Sequence, residues 1–139
     1  MPTPKAWSIR FFQRESCAGL PGGVPARDFL DELTERAAAK IEAVLVAVAE
    51  APPPSFSGGG KWQAMHDEMS GCYEVRVRDG NLNHRLICLL DRPGDDQEDP
   101  SIVCLGGFSK RLRTSAAARE YRRLASYRQE FLETRRTLS

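Results

Sequence analysis

The sequence predicts an α+β domain in which a helical hairpin packs on a small, mainly antiparallel sheet and a C-terminal helix follows; three patterns carry that expectation. Tyr73, Val75 and Val77 alternate with Glu74, Arg76 and Arg78, the period-two signature of a half-buried strand with its charge on one face. Apolar residues recur at three and four positions between Glu35 and Glu50, and again between Ser115 and Leu132, as amphipathic helices require. Two more apolar runs, His84 to Leu90 and Ile102 to Phe108, follow the alternating segment closely, and sequential strands with short connections favour an antiparallel meander.

The elements follow in chain order. Trp7 to Gln13 is aromatic and β-branched enough for a first strand, at a sheet edge or joined to the centre by a crossover; Pro2 and Pro4 would fray any longer pairing. Cys17 to Pro25 reads as a Gly/Pro loop. Phe29, Leu30 and Leu33 behind Asp28 give a short helix, and the stripe Ala37, Ile41, Val44, Leu45, Val48 gives a second, stopped by Pro52-Pro53-Pro54. The stretch APPPSFSGGG is a flexible connection, and Gly58 to Lys61 lacks the spacing of a phosphate-binding loop. Lys61 to Met69 reads either as a helical turn or as an irregular segment over the sheet edge. The three strands come next, joined by a hairpin at Asp79 to Asn83 and by the acidic loop Asp91 to Pro100. In the last helix Ala117, Tyr121, Leu124, Ala125, Phe131 and Leu132 share a face, while Arg119, Arg122 and Arg123 look the other way.

Composition narrows the function. One domain accounts for residues 1–139, and apolar and charged fractions of 41% and 28% are those of an ordinary globular chain. No apolar run is long enough to span a bilayer and no signal-peptide pattern opens the chain, so the expected location is the cytoplasm. Cys17, Cys72, Cys88 and Cys104 form no C-x-x-C pair, which argues for buried thiols in a reducing compartment rather than a zinc or redox site. His66 stands beside Asp67 and Glu68, but adjacent residues in an extended segment face opposite ways and no second histidine lies at ligand spacing. Neither a metal nor a cofactor is expected. Of the 39 residues from Ser101 onward, nine are Lys or Arg and three are Asp or Glu, a bias that suits a polyanion or an acidic partner and also an ordinary solvated helix. Three strands that deliver cations to one patch, with a carboxylate and a histidine nearby, point to a phosphodiester substrate.

The pieces AMHDEMSGCYEVRV, NHRLICLLD and IVCLGGFSKRLRTS, together with VPARDFLDEL, resemble the RelE/ParE superfamily of bacterial type II toxins, in its HigB-like, phage-derived branch. That branch carries a G-x-Y-E-[IVL]-R strand, a strand with an arginine before apolar residues, and a final L-x-G-F-x-K strand in this order. The likeness covers roughly residues 29–127 and implies a RelE-like β-α-α-β-β-β-α fold. It also implies a metal-independent endoribonuclease that cleaves mRNA, in many members on the ribosome, and is neutralised by a cognate antitoxin. A ParE-like inhibitor of DNA gyrase and a non-catalytic, antitoxin-binding relic are the alternatives. Arg76, Arg85, Lys110 and Arg111 fall where the family's catalytic or phosphate-binding cations sit. The chain departs from the likeness where Glu74 replaces a basic residue of some ribosome-dependent members. It departs again where Ala117 replaces a tyrosine, with Tyr121 a turn later.

RNA cleavage without a metal needs a base for the 2′-hydroxyl, positive charge for the phosphorane, and a proton for the departing 5′-oxygen. Arginine forks suit the middle task, which favours Arg85 and Arg111 as clamps. Glu74 or His84 is the base, and Lys110 an acid or a further clamp. Lys61, Arg78, Arg113, Arg119, Arg122 and Arg123 are the cations left to hold the rest of the substrate.

Overall fold

A computed structural model describes residues 7–16, 22–51, 60–92, 100–111 and 118–139. Cys17, the Pro52–Gly59 stretch, most of the acidic loop (93–99), Arg113 and Ala117 lie outside them. The order is β1 (Ser8–Phe12), α1 (Pro25–Glu32), α2 (Glu35–Glu50), β2 (Trp62–Ala64), β3 (Cys72–Asp79), β4 (Leu82–Asp91), β5 (Ser101–Arg111), α3 (Ala118–Thr134) and β6 (Thr137–Leu138), with a 3-10 turn at Asp67–Met69. This is an α+β architecture around an open, mostly antiparallel six-stranded sheet, ordered β2-β3-β4-β5-β1-β6. Among the described residues no helix is long and apolar enough to cross a membrane.

The second helix spans what its apolar spacing predicts. Thr34 caps it, its Oγ1 accepting the Ala37 N–H at 3.1 Å. Ile41, Val44, Leu45 and Val48 of α2 join Phe29 and Leu30 of α1, Val75 and Val77 of β3, and Leu86 and Cys88 of β4 in one buried cluster. The hairpin therefore covers one face of the sheet. Against the other face α3 buries Leu124 and Phe131 on Ile87, Leu89, Val103 and Leu105. The charged face of β3 is roofed over part of its length, because α3 needs a surface for its apolar stripe and the hairpin already occupies the first.

Of the two places open to the first strand, an edge or a crossover, β1 takes the crossover and pairs parallel with β5, Ser8 to Phe11 opposite Ser101 to Cys104. Lys61 to Met69 resolves into the edge strand β2 and the 3-10 turn. Gly80, with φ +62°, supplies the left-handed step of the β3–β4 turn.

The decisive irregularity lies in β5. Register runs Cys88 with Cys104 but Ile87 with Gly106, so Leu105 is an extra residue, a bulge that reverses the side-chain alternation beyond it. Two glycines follow because α3 and α1 press on the strand there. A Cβ on Gly106 would lie 2.9 Å from Leu124, and one on Gly107 would lie 2.5 Å from the Phe29 ring and 2.6 Å from the Arg85 carbonyl oxygen. Gly107→Ala is therefore expected to destabilise the fold by about 1–3 kcal/mol through overpacking. Chemical denaturation checks this, and an unchanged midpoint would contradict the packing.

Candidate active site

Beyond the bulge the antiparallel register sets side chains of the α3 face in cross-strand rows. One runs Arg76, Arg85, Phe108, and the next runs Arg78, Asn83, Lys110. Neighbouring strands lie about 4.8 Å apart and same-face residues about 6.7 Å apart along a strand, so four cations occupy a patch of roughly 10 by 7 Å. Lys61 adds a fifth at the outer edge, its carbonyl accepting the Arg76 N–H at 2.9 Å.

The row before these begins with Glu74, opposite Ile87, and here α3 reaches the sheet. Glu74 is only 2% exposed, and a carboxylate so buried must be paired. Arg76 Nε donates to its Oε1, and the Tyr121 hydroxyl donates to its Oε2 at 2.5 Å. Arg85 Nη1 donates to the same Tyr121 oxygen at 2.5 Å and lies 3.7 Å from Glu74 Oε1. Tyr121 is fixed by an edge-on contact with Phe108, ring centroids 5.2 Å apart. Burial, then the hydrogen bond and charge of Glu74, raise the Tyr121 phenol above its usual 10, against a smaller opposing pull from Arg85. It stays protonated at neutral pH. Arg85 Nε is buried and has no hydrogen-bond partner among the described residues, so Glu74 and Tyr121 do not exhaust the guanidinium.

Several expected members stand elsewhere. His84 pairs with Val77 and Ser109 on the opposite face of the sheet, where its Nδ1 lies 2.6 Å from Ser109 Oγ. It does not share a site with Arg85, which leaves Glu74 as the carboxylate of this cluster. Arg111, opposite Leu82, falls on His84's side as well, because the bulge at Leu105 puts Lys110 in the place that strict alternation would give Arg111. Arg119 and Arg122 are exposed on the first turns of α3. Arg123 does not look away from the sheet: its Nη2 donates to the Gly107 carbonyl at 3.0 Å and to Glu120 at 2.7 Å. Tyr121 is the residue that sequence reasoning left out of the site. Its place on the apolar stripe concealed the role, and its position a turn after Ala117 was the available signal.

Burial lowers the pKa of His84 from its usual 6.5, partly offset by Asp79. The folded state thus prefers the neutral ring, and that preference stabilises above pH 6.5 and is lost as pH falls through the depressed value. His84→Gln is expected to flatten the fall in thermal midpoint between pH 7 and pH 5. A fall of equal steepness in the variant would assign the acid sensitivity to other groups.

No family model, no curated protein and no solved structure matches this chain.

Proposed function

We propose that the chain is a toxin of the RelE/ParE superfamily, HigB-like branch: a metal-independent mRNA endoribonuclease of the cytoplasm that inhibits translation and is neutralised by a cognate antitoxin. The order β-α-α, then the antiparallel strands β3, β4 and β5 and a helix, with β1 parallel to β5, supports a RelE-like fold to which the short strands β2 and β6 are added at the sheet edges. The observation that carries the reading is the patch of Arg76, Arg78, Arg85 and Lys110 beside a buried carboxylate and a protonated phenol. Such a patch holds a phosphodiester, and planar guanidinium forks neutralise the charge that grows on its oxygens as the 2′-oxygen attacks. Arg85 acts as the clamp, oriented by Tyr121. Arg76 and Lys110 flank it, and Lys110 donates to the leaving 5′-oxygen. Glu74 takes the 2′-proton on Oε1 once the incoming phosphate draws Arg76 from it, exchanging one anion for another at that cation while Arg85 stays on Tyr121. Arg119 and Arg122, exposed on α3, add phosphate contacts along mRNA, on the ribosome or free.

Induced expression in bacteria should arrest growth, and primer extension on cellular mRNA should reveal new ends. Intact mRNA together with loss of gyrase supercoiling would replace this reading with the ParE-like one. A second reading, the non-catalytic relic, draws on the saturation of Glu74 by Arg76 and Tyr121. Tight antitoxin binding with neither arrest nor cleavage would favour it.

A further inference from the structure

On the far side of Phe108 from the cations, β5 borders a cleft of about 810 Å3. The cleft exists because β1 accompanies β5 only as far as Cys104, so that among the described residues Gly106 to Arg111 have no strand on that side. Volumes of this size admit a small-molecule or nucleoside ligand. Leu33 and Leu82, with the rims of Phe29 and Phe108, form its apolar lining. Its two arginines are engaged, Arg14 with Glu130 at 3.1 Å and Arg123 with Glu120 at 2.7 Å. Asp28 and Glu32, one turn apart on α1 and exposed, line it and have no salt bridge among the described residues.

Charge is thus divided across Phe108, with cations in the sheet rows and carboxylates in the cleft. A nucleotide has the same polarity, an anionic phosphate joined to a base whose edge offers N–H donors. Phe108 belongs to the Arg85 row and to the cleft lining alike, so a base beside a phosphate held at Arg85 lies within reach of the cleft. Splayed-out bases read on their Watson–Crick edges are the usual mode of sequence-specific RNA recognition. Guanine alone presents two adjacent donors, N1–H and the N2 amino group, to one carboxylate. Resting on the nuclease reading, we infer that this cleft binds the base next to the scissile phosphate and that Asp28 and Glu32 select guanine there.

The test titrates the full isotope-labelled chain with GMP, IMP and AMP and follows backbone amide shifts. GMP should bind at least tenfold more tightly than IMP, which lacks the N2 amino group, and than AMP, with shifts at Asp28, Glu32 and Ser109. The double variant Asp28→Asn, Glu32→Gln should lose that preference while retaining the affinity for AMP. Equal binding of the three nucleotides, or GMP shifts confined to Arg76 and Arg85, would overturn the inference. The two readings fail separately. Guanine selectivity without RNA cleavage would remove the nuclease and keep the cleft, whereas cleavage with no guanine preference in binding would do the reverse.

Discussion

Arg85→Ala is expected to lower RNA cleavage by about 10²–10³-fold, the loss that follows removal of one preorganised donor to a developing oxyanion. Arg85 differs from its neighbours in being held. Its side chain is 16% exposed, against 44% for Arg76, and Tyr121 fixes its Nη1. A cation held in place before reaction costs no reorganisation when charge develops, so it carries more of the rate than a mobile one. Arg85→Lys should recover little, since an ammonium cannot reproduce the fork. Arg111→Ala, on the other face, should leave cleavage within a few-fold of the unaltered protein. The measurement is a single-turnover rate on a defined RNA, with circular dichroism to confirm folding. Equal losses in the Arg85 and Arg111 variants would contradict the division of the two faces.

Glu74→Ala is expected to have the largest effect on stability. Removing one partner of a buried ion pair costs about 3–5 kcal/mol, because the charge left behind stays desolvated. Here the lower end applies. Arg85 keeps its bond to Tyr121, and Arg76 is exposed enough that its pairing contributes little. Glu74→Gln preserves the shape and should cost less, while abolishing proton acceptance and hence cleavage. Denaturant midpoints separate the two effects. An alanine variant as stable as the parent would show that the carboxylate is not what holds β3 and α3 together.

Much of this arrangement was legible in the sequence, for identifiable reasons. The α2 stripe and the alternation of β3 repeat over enough residues to declare their period. The charged face of β3 was legible too, and Arg76, Arg78 and Arg85 do stand on one side of the sheet. Strand β2, with three residues, and β6, with two, are too short to show any period. The bulge at Leu105 left no mark beyond the glycine pair after it, yet it decides whether Lys110 or Arg111 accompanies Arg85. His84 stands apart for a simpler reason: adjacent residues on a strand face opposite ways, so His84 and Arg85 cannot share one site. Tyr121 sits on an apolar stripe and serves as a polar bridge, because a phenol can bury its ring and present its hydroxyl at the edge of the core.

The chemical nature of the RNA ends tests the central claim most directly. Purified protein incubated with an mRNA, either free in EDTA or on ribosomes in magnesium, should generate fragments ending in a 2′,3′-cyclic phosphate and beginning with a 5′-hydroxyl, and Arg85→Ala should generate them about 10²–10³-fold more slowly. RNA left intact under both conditions, or cut to leave 5′-phosphates, would contradict attack by the 2′-oxygen at the Arg76–Arg85–Lys110 patch.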